Sequence, residues 1–326
     1  MAGLPFENFP ARPRLVFMGT PEFAVPTLRA LLDDGHSVMA VVSQPDRPQG
    51  RGKRVAPSPV KRLALERQVP VLQPEKASAP EFCDRIRVLS PDLMIVVAFG
   101  QILKKGLLDI PRWGVVNIHA SLLPKLRGAA PIQRAVMNNE TLTGLTVMRM
   151  GEGMDTGPIL IQEEVPMIGD ETAGHLHDRL SIQAGDLMVR ALRAMAEGKV
   201  QEMPQNNAEA TYAPKIEKDM GLVDWSRPGY KVSALIRALD PKPGAYTLWK
   251  GRELKLFSST VVERKQAGTI PGRVRGQKDG CLVVETGQGT VGIRELQLSG
   301  KKKLQAPDFL RGVSIPEGSI LGNGDR

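Results

Sequence analysis

The sequence predicts an α/β protein with a doubly wound, mostly parallel, Rossmann-like sheet, followed by a small β-barrel domain. Over roughly the first two-thirds of the 326 residues, apolar runs alternate with segments of helical periodicity, which favours a parallel sheet with helices on both faces. Residues 203–214 are polar and rich in Asn, Gln and Pro, as in a linker. We therefore predict a first domain at 1–202, a linker at 203–214 and a second domain at 215–326.

The first domain begins with the apolar run 15–18, which ends at Gly19. Pro21 then occupies a position that helices favour for their first residue. The run 93–99 is the most apolar and is expected at the centre of the sheet. We predict further strands at 37–43, 69–72, 113–118, 143–150 and 159–165, and helices at 21–32, 60–67, 81–89, 130–138 and 173–197.

The second domain starts with a helix predicted at 230–239. Short alternating runs follow, separated by glycine-rich turns, which is typical of a small β-barrel. The predicted strands are 253–257, 272–274, 281–285 and 290–296.

Composition indicates an ordinary soluble globular protein, since 41% of the residues are apolar and 24% are charged. No apolar run reaches the ~18 residues of a membrane span, and the first residues do not resemble a secretory signal. The two cysteines, Cys83 and Cys281, are far apart, which supports neither a disulfide framework nor a zinc site. We therefore expect a cytoplasmic protein without a metal.

The net charge of +9 is unevenly placed, with +2 in residues 1–208 and +7 in residues 209–326. A basic domain joined to a nearly neutral one indicates a polyanionic partner. The run Lys301-Lys302-Lys303 is able to contact phosphates, although isolated lysine runs are usually only solvated. Charge alone does not decide whether the polyanionic partner is a nucleic acid.

The end of the predicted strand 113–118 carries the residues with the clearest chemistry. Asn117 and His119 are two residues apart, so in a strand their side chains share one face. They lie at the carboxyl end of that strand, where sites in such sheets form, and Asp155 offers a carboxylate. A hydrogen-bond donor, a proton carrier and an acid together indicate acyl transfer. Each residue also has a structural explanation, as a strand-end histidine, a turn cap or a turn aspartate.

The sequel Leu122-Leu123-Pro124 is harder to explain structurally. Pro124 fixes its own φ and biases Leu123 toward extended backbone, so the leucines could form one wall of an apolar ligand slot. We include Ser121 in this slot. The first strand–helix turn, residues 19–22, lacks the glycine fingerprint of dinucleotide-binding proteins, which disfavours a nicotinamide-dependent oxidoreductase.

A second candidate site is the loop 45–59, in which four basic residues alternate with proline and glycine. These residues are Arg47, Arg51, Lys53 and Arg54. Alone, the pattern is that of a surface loop. Placed directly after the carboxyl end of a strand, it is better interpreted as a clamp for phosphates.

Together, these segments resemble the folate-dependent formyltransferases. The segments are Asn117-Ile118-His119-Ala120-Ser121-Leu122-Leu123-Pro124, residues 125–133 and Met154-Asp155-Thr156-Gly157. The loop 44–53, residues 57–61 and Thr211-Tyr212-Ala213-Pro214-Lys215-Ile216 are similar to the branch whose acceptor is methionyl-tRNA. The similarity extends from about Arg14 to the C-terminal end.

The resemblance implies formyl transfer from 10-formyltetrahydrofolate to the α-amine of methionyl initiator tRNA, for translation initiation. It also implies an OB-like second domain, and a loop that grips the tRNA acceptor end through Arg51. We expect Asn117 and His119 to stabilise the negative charge that develops on the formyl oxygen. We expect His119 to protonate the folate nitrogen and Asp155 to orient and charge the imidazole. We further expect a monomer.

Two alternatives remain at this point. One is formyl transfer to a small amine, such as a purine precursor or an amino-sugar nucleotide, or hydrolysis of the formyl-folate. The basic loop and the basic second domain argue against it. The other is an RNA-binding protein with an inert folate-like domain, against which the intact Asn117, His119 and Asp155 argue.

Overall fold

The computed structural model describes residues 6–49, 54–264 and 268–322. The chain forms two compact units, neither of them continuous in sequence. The first comprises Met1–Gly128, Thr143–Val165 and His177–Tyr212, and the second comprises Ala129–Leu142, Pro166–Leu176 and Ala213–Arg326. The limits 1–202, 203–214 and 215–326 remain predictions for the domains.

The first unit is built around a seven-stranded sheet with the order β5-β2-β1-β6-β7-β8-β9. Its strands are β1 (Arg14–Gly19), β2 (Ser37–Val42), β5 (Val71–Leu72), β6 (Leu93–Val97), β7 (Val115–His119), β8 (Leu142–Arg149) and β9 (Ile159–Pro166), and β3 (Arg47–Gln49) and β4 (Arg54–Ala56) form a separate ribbon. The helices are α1 (Val25–Asp33), α2 (Pro59–Glu66), α3 (Pro80–Leu89), α4 (Lys105–Leu108) and most of α6 (Ala173–Ala196), with 3-10 turns at Glu22–Ala24 and Asn207–Glu209.

The five strands from β5 to β7 pair in parallel, and β8 runs antiparallel to β7. This confirms the prediction of a mostly parallel sheet with helices. Strand β6 lies in the middle of the sheet and every one of its residues is buried, as its apolar sequence predicts. Its neighbour β7 is paired on both sides, so the side chains at the carboxyl end of β7 are held on a rigid support.

The second unit contains an antiparallel sheet with the order β10-β11-β14-β13-β12, and β15 pairs with β14. Its strands are β10 (Ala245–Trp249), β11 (Arg252–Glu263), β12 (Val274–Lys278), β13 (Cys281–Glu285), β14 (Thr290–Leu298) and β15 (Leu304–Gln305). The helices are α5 (Pro131–Met137), α7 (Gly229–Ala238) and α8 (Ala306–Gly312), with the first residues of α6 and a 3-10 turn at Lys218–Gly221.

The core of the second unit joins α7 and α8 to the sheet. Trp225, Ile236, Leu256, Ile293 and Phe309 are all buried in one apolar cluster. The antiparallel sheet agrees with the predicted β domain, and its closure into a barrel stays a prediction. Strand β10 and helix α8 were not predicted. The predicted strand 272–274 begins later, at Val274, because Gly272 occupies a left-handed turn with φ +84°.

Three features of the described residues concern cysteines, membrane spans and metal ligands. Cys83 and Cys281 are buried free thiols. No helix in the described ranges is long and apolar enough to cross a membrane. Within the same ranges, no group of three or more His, Cys, Asp or Glu side chains is placed to hold a metal ion.

Candidate active site

Strand β7 carries Asn117 and His119 at the carboxyl edge of the parallel sheet. Asn117 pairs with Val96 on one side and with Met148 on the other, while His119 lies opposite Thr146. Because they are two residues apart on one strand, the amide and the imidazole project from the same face of the sheet. His119 is only 6% exposed, and Asn117 is half-buried. The juxtaposition predicted from the sequence is therefore present.

The His119 ring is held at both nitrogens. Its Nε2 lies 2.9 Å from the carbonyl oxygen of Leu126. A carbonyl oxygen only accepts hydrogen bonds, so Nε2 carries a proton and Nδ1 is the nitrogen that gains or loses one. Nδ1 faces Asp155, whose Oδ2 lies 3.7 Å away. The structure thus brings the predicted acid to the histidine and adds an orienting carbonyl that the sequence did not reveal.

Asp155 is itself fixed by the backbone. Its Oδ2 accepts a 2.8 Å hydrogen bond from the Gly128 N–H. The residue has φ +51°, in the left-handed region, where aspartate is enriched among non-glycine residues. The carboxylate is 18% exposed, so it is partly shielded from water. The carboxylate is therefore placed to orient the imidazole of His119.

Asn117 completes the set of donors. Within the part of the chain that the structure describes, its side-chain amide has no hydrogen-bond partner. A half-buried amide without a protein partner is available to a ligand, because a polar group that stays unpaired in the protein costs free energy. An amide N–H donor on the same face as a proton-carrying imidazole fits the carbonyl oxygen of a formyl group.

Gly157 ends the Asp155-Thr156-Gly157 motif, and the structure shows why this position is a glycine. A Cβ at residue 157 would lie 1.8 Å from the carbonyl oxygen of Arg149. The Asp155 loop packs against the end of β8 at this point, and Gly157 permits the close approach. Within this motif, Asp155 therefore supplies the carboxylate, and Gly157 allows the close packing that places it.

We expect Gly157→Ala to move the Asp155 loop away from His119, because the new methyl group cannot share space with backbone. The melting temperature should fall, since overpacking typically costs about 1–3 kcal/mol. Gly151→Ala is the matched control, because a Cβ at residue 151 meets nothing within 4 Å. Thermal unfolding followed by circular dichroism measures both variants. Equal melting temperatures for the two would contradict this packing explanation.

The segment after His119 is a loop pinned to β8 and β9. The Oγ of Ser121 donates to the Lys125 carbonyl at 2.6 Å. The Oγ1 of Thr146 donates to the Ser121 carbonyl at 2.6 Å and accepts from the Leu123 N–H at 3.2 Å. Gln162 donates to the Leu123 carbonyl at 2.8 Å. The loop is therefore preformed.

The four residues predicted to contact folate are not equivalent. Ser121 and Leu123 are buried, and Leu123 packs with Met148 and Ile159. Leu122 and Pro124 are half-buried and retain accessible surface. Leu122 lies over Gly144, where a Cβ would come within 2.4 Å of it. Leu123 therefore supports the loop from inside, while Leu122 and Pro124 are the two of the four that retain accessible surface; the folate contact of all four stays a prediction.

The described residues of the basic loop include two short strands, which its proline and glycine content does not predict. Strands β3 and β4 form an antiparallel ribbon in which Arg47 lies opposite Ala56. Arg47 is exposed. Arg51 and Lys53 lie outside the described residues, and Arg54 is described only as part of the backbone of β4.

A polar network fixes the base of this ribbon. The Lys61 Nζ donates to Asp46 Oδ2 at 2.6 Å and to Gln73 Oε1 at 2.7 Å. Gln73 donates in turn to Asp46 Oδ1 and to the carbonyl of Gln44. The hydrogen bonds from Lys61 and then Gln73 lower the pKa of Asp46, so the carboxylate stays ionised at neutral pH.

Comparison with known proteins relates both parts of the chain to one family. Residues 13–192 match the family model described as formyl transferase, and residues 215–314 match the model of the formyl transferase C-terminal domain. A methionyl-tRNA formyltransferase of Pelobacter propionicus is 48% identical over 94% of this chain and 96% of its own. One from Geotalea uraniireducens is 47% identical over 96% of this chain and 99% of its own.

The chain belongs to the methionyl-tRNA formyltransferase family. Among solved structures, HypX from Aquifex aeolicus in complex with tetrahydrofolic acid shares the fold, with a TM-score of 0.62 at 20% identity. That match covers 92% of this formyltransferase chain and 47% of HypX. Family membership extends over both units, as the sequence resemblance implied.

Proposed function

We propose that this formyltransferase moves the formyl group of 10-formyltetrahydrofolate to the α-amino group of methionyl initiator tRNA, for translation initiation. The observation that carries the proposal is the pairing, on one strand end, of two side chains. The Asn117 amide has no hydrogen-bond partner among the described residues, and the His119 ring directs its Nδ1 at Asp155. These groups suit a carbonyl carbon under attack by an amine, and the family relationship supplies the donor and the acceptor.

The reaction makes one C–N bond and breaks another. The amine nitrogen of the methionyl ester bonds to the formyl carbon, and the bond from that carbon to N10 of the folate breaks. The amine loses a proton and N10 gains one, so the products are formylmethionyl-tRNA and tetrahydrofolate. The identity of the group that takes the amine proton is left open.

The three residues act together in this proposal. Asn117 and His119 donate hydrogen bonds to the formyl oxygen as negative charge develops there. His119 delivers the proton on Nδ1, because its Nε2 proton is retained by the Leu126 carbonyl. Asp155 orients the imidazole, since its Oδ2 lies 3.7 Å from Nδ1.

The remaining roles are also proposals. Leu122 and Pro124 contact the folate, and Ser121 and Leu123 hold the loop that presents them. The loop 45–59 carries the basic residues of the tRNA clamp, namely Arg47, Arg51, Lys53 and Arg54. We further propose that the antiparallel sheet of the second unit is an OB-like domain that binds tRNA through its basic surface. The protein then works as a monomer in the cytoplasm.

A competition assay tests the function. Radiolabelled 10-formyltetrahydrofolate is offered together with charged initiator tRNA, charged elongator tRNA and small amines, among them an amino-sugar nucleotide. The proposal expects label almost entirely in the initiator tRNA. Label in a small amine, or release of free formate, would instead support one of the alternatives from the sequence.

We expect Arg51→Ala to weaken use of tRNA without damaging the chemistry. The variant should lose about 10-fold or more in kcat/KM for tRNA, with a weaker dependence on salt, because a phosphate contact is removed. Arg87→Ala is the matched control, since Arg87 is an exposed arginine on α3 that pairs with Asp84. An equal loss with a minimal amine acceptor would show that Arg51 does not act through tRNA.

A further inference from the structure

The segment 203–214, which its composition predicts to be a linker, makes hydrogen bonds to the candidate active site. The Gln205 Nε2 donates to the carbonyl oxygens of Asp155 at 2.8 Å and of Gly157 at 2.7 Å. The Gln205 Oε1 accepts from Arg127, at 3.0 Å from Nε and 2.6 Å from Nη2. Both amide protons and both acceptor positions of Gln205 are therefore used. A residue in a solvated spacer would not need a protein partner for every hydrogen-bonding group of its side chain.

The partner on the other side, Arg127, is a buried cation. It is 2% exposed, and besides Gln205 its guanidinium donates to the Asn207 Oδ1 at 2.9 Å. Its backbone N–H donates to the Thr211 carbonyl at 2.9 Å. Charge-assisted hydrogen bonds of this kind are stronger and better directed than neutral ones, so Arg127 fixes the position of the Gln205 amide.

The hydrogen-bonded pair of Arg127 and Gln205 is connected to Asp155 from both sides. Arg127 directly precedes Gly128, whose N–H holds the Asp155 carboxylate. Gln205 holds the Asp155 carbonyl from the opposite end of the same residue. Both hydrogen bonds are made to a residue with a left-handed backbone, whose carboxylate lies 3.7 Å from His119 Nδ1.

We propose that Gln205 is a positioning residue for formyl transfer, which holds Asp155 beside His119 by linking the Asp155 loop to the buried guanidinium of Arg127. It touches no substrate in this proposal and acts only through Asp155. The inference rests on the proposed function, because it assigns Gln205 a part in that reaction. It also turns the supposed linker into part of the active-site framework.

Two substitutions separate positioning from simple loss of structure. Gln205→Glu keeps an oxygen for Arg127 but loses the two N–H bonds to the carbonyls of Asp155 and Gly157. Gln205→Leu removes all of these bonds. Asn206→Ala is the matched control, because the neighbouring Asn206 amide bonds only to Ala208 and Glu209. Asp155→Asn serves as the reference for a lost carboxylate.

The first readout is the pH dependence of the single-turnover rate. Both Gln205 variants should lose about 10- to 100-fold in rate through misplacement of the acid, with KM for tRNA changed by less than about 2-fold. The high-pH limb of the profile should move to lower pH, because the imidazolium that donates the proton is less stabilised. Asp155→Asn should move it in the same direction, and Asn206→Ala should leave it in place.

The second readout does not depend on activity. The His119 ring signals, assigned among the four histidines with a His119→Ala sample, are followed by NMR as pH changes. The titratable side chain that faces the ring is Asp155, and the same network holds the Arg127 cation. The Gln205 variants should titrate like Asp155→Asn. If the Gln205 variants show the wild-type titration of His119 and an unmoved pH–rate profile, the proposal is overturned, even if their melting temperatures fall. An inactive wild type with the expected NMR changes would overturn only the proposed function.

Discussion

His119→Ala is expected to lower kcat for formyl transfer by about 10²- to 10⁴-fold, the usual contribution of a positioned general acid. The loss has two sources in the structure. In the proposed mechanism the ring supplies the Nδ1 proton to N10, and in the structure it lies on the face of β7 that it shares with Asn117. The KM values for both substrates should change little, because the effect is confined to the transition state. Single-turnover kinetics measure the chemical step directly.

This variant also leaves the Leu126 carbonyl without its hydrogen bond, which costs about 1–3 kcal/mol of folding free energy if nothing replaces it. The rates should therefore be compared well below the melting temperature of the variant. His175→Ala is the matched control, since His175 is an exposed histidine at the start of α6. Near-normal turnover by a folded His119→Ala protein would refute the assigned role.

Asn117→Ala is expected to cost about 10²- to 10³-fold in kcat, as for other side-chain donors to a developing oxyanion. Because Asn117 has no hydrogen-bond partner among the described residues, its removal should leave the melting temperature close to that of the wild type. The isosteric Asn117→Asp should be at least as inactive, since a carboxylate presents only acceptors to an oxygen that needs a donor. A fully active Asn117→Asp would exclude the donor role.

The sequence predicts the sheet and the strand-end pair because both depend on local patterns. The alternation of apolar runs and helical segments predicts the order of elements up to α6, and the spacing of Asn117 and His119 places both side chains on one face. Asp155 was found through its motif, and the structure brings it to His119.

The parts that were missed depend on the folded backbone. The orienting partner of His119 is a carbonyl of Leu126, seven residues along the chain, and no side-chain pattern marks it. Strand β10 follows Pro241 and Pro243, which favour turns, and gains its structure by pairing with β11. The β3–β4 ribbon is hidden in the same way by the proline and glycine around it.

The linker was the least predictable region. Its Asn, Gln and Pro content is typical of a solvated spacer, yet Gln205 and Thr211 hydrogen-bond to the loops that carry the candidate site. From the sequence alone, a polar side chain whose hydrogen-bonding groups are all paired within the protein cannot be told from one that is solvated. Arg127, beside the strand-end motif, needs such partners because it is buried, and its burial is visible only in the structure.

The most direct measurement of the central claim is a double-mutant cycle in single-turnover formyl transfer to initiator tRNA. Asn117→Ala, His119→Ala and the double variant are compared with the wild type. If both side chains act on one carbonyl, the double variant should lose only slightly more rate than the worse single variant, because groups that act as a unit are strongly non-additive. A loss equal to the product of the two single losses would show that the residues act independently, and would contradict the shared site.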